Sequence, residues 1–237
     1  MAKKIKEEVI DLGNGVELIM VLIPAGKFLM GSPDDEANRE DDEMQHKVTI
    51  SKPFYMGKFE VTQEQWGLLM DTNPSEFLGK KIPVTNVTWD ECQDFIKKLN
   101  KKTKSKFRLP TEAEWEYACR AGSTGPLYGE LNRISWNTSN SENRTHPVGS
   151  KLPNALGFYD MIGNVWEWTN DWYAADYYRS CENGATDPTG AAQNPFRTLR
   201  GGSWDFDSKN CRASFRLNYF QGDPRITDYG FRVARTP

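Results

Sequence analysis

The sequence predicts an α+β fold, loop-rich and low in regular secondary structure, forming a single domain over residues 1–237 with its core at about 16–236. Three observations predict it. Short β-branched and aromatic runs near the start are bounded by turn formers, as strands are. Three Thr-x-x-Glu/Gln signatures announce helices in the middle of the chain. After Gly122 hydrophobic periodicity vanishes, and Gly, Pro, Asn, Asp and Ser are dense among isolated tryptophans, so most of that half is expected to be loops pinned by aromatic anchors.

Taken in order, residues 16–31 (VELIMVLIPAGKFLMG) read as two strands around the Pro24-Ala25-Gly26 turn. An acidic loop runs from Asp34 to Glu43. Lys47 to Ile50 alternates with period two and leads through Pro53 into a further strand at Phe54 to Met56. The helices start at Thr62, Thr88 and Thr111, where each hydroxyl caps the third following amide and Gln65, Glu91 or Glu114 reaches back. The second carries Trp89, Cys92, Phe95, Ile96 and Leu99 on one stripe and ends in a basic run, Lys97 to Lys106, that suits the helix dipole and reads as a solvated end. Gly122 ends the third. Gly230 to Ala234 reads as a closing strand.

Composition excludes several classes. Eight Trp, nine Tyr and twelve Phe in a chain that is only 38% hydrophobic predict an aromatic core under a polar surface, not a disordered chain. A formal net charge of −3 gives no general attraction to nucleic acid or anionic membranes, so a partner is expected to be recognised locally. The longest apolar run, Leu18 to Pro24, is too short to span a bilayer, and no apolar leader segment follows Met-Ala-Lys-Lys. Four cysteines without a C-x-x-C pair are too few for a disulfide scaffold, and Cys92 and Cys119 fall on apolar helix faces.

The segment from Arg200 to Arg232 follows neither helical nor strand periodicity, which predicts a long ordered loop held by its ends. Its candidate ligand-binding residues are Asp205, Phe206, Asp207, Lys209, Asn210, Phe215, Leu217, Asn218, Tyr219, Phe220, Arg225, Thr227, Asp228 and Tyr229. Aromatic anchors ringed by charge are the composition of an interface core and rim.

Seven stretches carry a resemblance to a known family: Phe28 to Ser32, Val61 to Trp66, Pro83 to Trp89, Arg108 to Tyr117, Gly163 to Trp168 (GNVWEW), Arg200 to Trp204 (RGGSW) and Gly230 to Arg232. In these residues and their order the chain resembles the formylglycine-generating enzyme (sulfatase-modifying factor) group, which implies a modified C-type lectin-like fold. The resemblance further implies a copper(I) site of two cysteines after the RGGS turn, oxidising a substrate cysteine to formylglycine. The matching positions here hold Phe206 and Cys211, with Ser203 retained, so if the chain were an enzyme Cys211 and Ser203 would be its residues. A phenyl ring cannot ligate copper, so copper is not expected. The resemblance also implies structural calcium, bound by the side chains of Asp160 and Glu167 and the carbonyls of Gly163 and Val165.

Two functions follow from different classes. The C-terminal segment resembles the variable region of proteins diversified by retroelements, where Asn-rich templates are mutated while scaffold residues stay fixed. That implies a non-catalytic binding protein, a monomer that meets a protein or other macromolecule through a loop at about 204–229, binding no nucleic acid and inserting in no membrane. The alternative is a divergent oxidase of the formylglycine-generating type. Iron chemistry of related enzymes would draw on histidine, and the sequence has only His46 and His146.

Overall fold

The computed structural model describes residues 5–222 and 226–237. Among these described residues, twelve short strands fall into three sheets. The first holds β1 (Glu7–Asp11), β2 (Glu17–Ile23), β5 (Phe54–Gly57), β12 (Ala234–Arg235) and β6 (Phe107–Arg108), in the order β1-β2-β5-β12-β6. The second is β3 (Gly26–Met30), β4 (His46–Ile50) and β8 (Ala185–Thr186). The third, in the order β10-β9-β7-β11, joins β7 (Trp166–Trp172), β9 (Phe196–Arg200), β10 (Arg216–Phe220) and β11 (Tyr229–Gly230). The chain ends where it began: β12 is inserted between β5 and β6, and Arg235 pairs with Glu8.

The helices stand where the capping signals place them. α1 (Gln63–Gly67), α2 (Trp89–Thr103) and α3 (Glu112–Arg120) each begin with a complete capping box, Thr62 with Gln65, Thr88 with Glu91 and Thr111 with Glu114. Two single-turn helices, α4 (Leu131–Ile134) and α5 (Tyr177–Ser180), have no side-chain cap. None of the described helices is long and apolar enough to cross a membrane.

α2 buries Cys92, Phe95, Ile96 and Leu99. Phe95 stacks on Trp66 at 5.4 Å and meets Phe231 edge-on at 5.5 Å, so one aromatic cluster fastens α1, α2 and the chain terminus together. α3 is different. Glu112, Glu116 and Arg120 are as buried as its apolar residues, because it lies among β3, β7 and β9 with no solvated face to give them.

Most of the C-terminal half is loop, as expected, but the third sheet runs through it. β7 is a seven-residue strand with neighbours on both sides, and GNVWEW runs straight into it. Because its first four residues are all buried, the strand has no polar-out alternation, and the period-two signal is erased. The segment from 200 to 232 likewise contains β10 and β11, and the closing strand splits into β11 and β12 around Phe231 to Val233.

Burying carboxylates in α3 requires cations, and these come from the C-terminal segment. Arg216 binds Glu112 through Nε at 2.8 Å and Nη2 at 3.0 Å, and Arg200 reaches both Glu112 and Glu116. Burial alone would raise the Glu112 carboxyl; Arg216 and Arg200 outweigh it and hold it below its ordinary range. Glu112→Gln leaves these guanidinium groups short of charge in the interior and is expected to lower the unfolding free energy by about 3–5 kcal/mol in urea titrations. A loss below about 1 kcal/mol would show that the pair is solvated.

Candidate functional site

Four arginines tie the segment from 200 to 232 to the scaffold at intervals. Arg200 and Arg216 close on α3. Arg212 folds back on the acidic loop, taking Glu43 bidentately at 2.6 and 2.8 Å and Glu36 at 2.6 Å. Arg232 takes Glu167 through Nε and Nη2, both at 2.6 Å. Each is buried and each has its charge met, so the segment is clamped at its ends and twice within.

Between the clamps the turns are shaped by glycine. Gly201 and Gly202 both have positive φ, and a Cβ on Gly202 would stand 2.7 Å from the Cys211 sulfur. The Trp204 amide donates to Asn164 at 2.9 Å, and its ring meets Phe77 edge-on at 5.5 Å. Thr138 donates to the Phe206 carbonyl from both its amide, at 3.4 Å, and its hydroxyl, at 3.3 Å. The loops at 73–79 and 137–141 therefore border the segment. The sequence reading missed them, although the apolar Leu78 between Phe77 and Gly79 was a signal, and that side chain is 73% exposed. Gln63 holds the first of these loops, donating to Phe77 and Pro83 carbonyls and accepting from Asn73 and Gly79.

The candidate binding residues divide by burial. Asp205, Asp207, Lys209 and Phe220 are exposed; Phe206, Asn210, Leu217, Asn218, Tyr219 and Thr227 are half-buried. Phe206 stands edge-on against Trp166 at 4.9 Å, and Tyr219 against Tyr229 at 5.4 Å. Three residues are corrections: Phe215, Asp228 and Tyr229 are buried and present no surface. Phe215 packs 5.8 Å from Trp166 and Tyr229 meets Trp168 edge-on at 5.6 Å, completing the aromatic core above β7. Asp228 turns inward to accept from the Ser203 hydroxyl. Arg225 lies outside the described residues. At the end of β10, Phe220 borders an open cleft of about 740 Å³ that Trp172 and Asn194 also line. There Arg197 is sandwiched between Trp89 at 3.8 Å and Trp172 at 3.3 Å, and burial lowers its pKa to about 10.

The copper ligands implied by the resemblance do not fit. Cys211 is enclosed under Gly202, and burial pushes its thiol up to about 12, so it is neither a ready thiolate nor an open ligand. Phe206 fills the other position with a ring. Ser203 is buried and committed to Asp228. Neither histidine compensates: His46 is buried against Tyr178, and His146 stacks on Trp136 at 3.7 Å.

The side chains of the calcium set have other partners in this structure. Glu167 is the ligand with most charge to give, but both its oxygens accept from Arg232 and one also accepts from Trp115 Nε1 at 2.8 Å. A guanidinium stands where the cation's charge was expected. Gly163 donates its amide to Gly201 and has no room for a Cβ, while Val165 is buried just ahead of β7. Asp160 accepts from the Gly149 amide at 2.7 Å through Oδ2, and its buried Oδ1 has no partner. Burial raises Asp160 to about 6 and, with the Asp160 charge added, holds Glu60 well above its ordinary range. No group of three or more His, Cys, Asp or Glu among the described residues is placed to hold a metal ion.

Short strands and clamped loops around a glycine-paired RGGSW turn define a scaffold of the formylglycine-generating type. The chain belongs to the sulfatase-modifying factor enzyme 1-like domain family, whose model matches residues 16–237. Among solved structures it is similar to Treponema denticola variable protein 1, with 32% identity and a TM-score of 0.88, covering 98% of this chain and 99% of that one. It is similar also to PvdO from Pseudomonas aeruginosa, with 31% identity, a TM-score of 0.86 and coverage of 97% and 98%. A serine/threonine-protein kinase, pkn1, of Chlamydia caviae is 33% identical over 91% of this chain, which spans 38% of that kinase's length.

Burial separates the candidate binding positions by stability. Phe215→Ala is expected to cost about 3–5 kcal/mol, whereas Asp205→Ala and Asp207→Ala should stay within about 0.5 kcal/mol, as read by chemical denaturation. Equal costs at all three would contradict the division. Asp228 gives a pH signature. Burial raises its carboxyl to about 6, against the Ser203 hydrogen bond that lowers it. A folded-state value above the unfolded one near 3.9 means stability is fully present below about pH 4 and is lost as pH rises to about 6. The unfolding free energy of the native protein, less that of Asp228→Asn, is therefore expected to fall by about 1–3 kcal/mol between pH 4 and pH 7. A difference flat with pH would contradict a buried, hydrogen-bonded Asp228.

Proposed function

We propose that this chain is a non-catalytic binding protein whose C-terminal segment, at about 204–229, meets a protein partner. One observation carries the reading: buried arginines fixed to glutamates alternate with stretches whose side chains reach solvent and make few obligatory contacts. Asp205, Asp207 and Lys209 follow the Arg200 clamp, and Leu217, Asn218, Tyr219 and Phe220 follow the Arg216 clamp. Substitution at such positions changes what is presented without changing what is folded. Half-buried rings beside carboxylates and an ammonium have the composition of a protein-binding core and rim.

The likeness to a variable protein supports diversification of these positions by a retroelement. Of the two metals, copper is disfavoured by Phe206 and the enclosed Cys211, and calcium by the Arg232 pairing of Glu167.

Replacing Asp205, Asp207, Lys209, Asn218 and Phe220 together is expected to leave the melting temperature within about 10 °C, because surface substitutions each change stability by about 0.5 kcal/mol or less. The same variant should lose the partner that a photo-crosslinking residue at position 220, and not one at position 101, captures from the native protein. Copper-loaded protein that converts a cysteine peptide to formylglycine, with the activity abolished by Cys211→Ser, would overturn the reading.

A further inference from the structure

A recess of about 550 Å³ lies apart from the anchored segment, none of whose residues line it. It is enclosed by the start of β3, the end of α3 and the turn after it, and Leu156. Two rings form its apolar wall: Phe28 and Tyr117, with centroids 5.2 Å apart. Their placement is built into the fold. Tyr117 lies along the face of β3 that carries both Gly26 and Phe28, and a Cβ on Gly26 would come within 2.2 Å of the Tyr117 hydroxyl oxygen. That hydroxyl makes no hydrogen bond among the described residues, and burial raises its pKa, so it stands as a neutral donor. At the mouth Leu29 is an apolar side chain left 46% exposed.

The charge on the lining has one sign. Among the described residues no acidic side chain lines the recess, and Arg120 is already neutralised by Glu116 and by the carbonyls of Gly31 and Gly125. Lys27 is exposed and has no ion pair among the described residues. The size falls within the range of small-ligand sites, which pair an apolar wall with a few polar groups.

We infer that this recess binds a small aromatic acid, its ring against Phe28 and Tyr117 and its carboxylate at Lys27. The site is independent of the segment at 204–229. 3-Phenylpropionate serves as the probe, titrated into the full chain and followed by the methyl resonances of Leu29 and Leu156. Saturable shifts confined to the lining are expected. Lys27→Gln should weaken binding about three- to fivefold, the scale of one exposed charge pair. Thr124→Trp, a substitution at an exposed lining position that fills the recess, should abolish the shifts with the circular dichroism spectrum unchanged. Shifts that never saturate, that persist in Thr124→Trp, or that appear equally with the uncharged 3-phenylpropanol would overturn the inference.

Discussion

Arg200 holds this molecule together at the point where its interior is least able to tolerate charge. Its guanidinium is fully buried, contacts Glu112 and Glu116 on successive turns of α3, and donates to the Ser214 carbonyl at 3.0 Å and the Ala213 carbonyl at 2.6 Å. One side chain thus fixes β9, α3 and the chain leading into β10. Glu116 also accepts from Arg120 and from the Gly31 amide, and Glu112 passes the connection to Arg216. Neither the helix nor the sheet could bury these groups alone.

Such a network selects one arrangement more than it deepens stability. Removing two charges from water costs several kcal/mol per ion, which the mutual attraction offsets only when geometry and remaining hydrogen bonds are complete. Here they are nearly so: the carboxylates accept from several donors and the guanidinium groups reach backbone carbonyls. Any other register of the C-terminal segment would strand a charge in the interior. The result is a segment whose path is set by Arg200, Arg212, Arg216 and Arg232, leaving the exposed side chains between them, Asp205, Asp207 and Lys209 among them, free of structural duty.

The sequence showed local structure well and long-range structure poorly. Thr62, Thr88 and Thr111 each named a helix start because a capping box is complete within four residues. β2 to β5 were legible because apolar runs are punctuated by Pro24 to Gly26, the acidic loop and Pro53. β7 was not, since a strand buried on both faces loses its alternation. The site divided along the same line. Asp205, Asp207 and Lys209 could be read as surface because nothing in composition asks them to be elsewhere. Phe215 and Tyr229 could not be told from exposed anchors, because a ring carries no mark of which side of a loop it faces. Glu167 looked like a cation ligand from its motif; that its cation is Arg232, sixty-five positions away, is a fact of topology.

Native-state hydrogen exchange tests the central claim most directly, because it reads the free energy of opening amide by amide. If four buried, ion-paired arginines fix the segment and the exposed stretches between them are structurally unburdened, amides of 199–203, 212–216 and 230–233 will exchange only through global unfolding, while those of 205–210 will open at several kcal/mol less. Uniform protection from 200 to 222 would contradict the account, since the exposed stretch would then be as integral to the fold as its clamps.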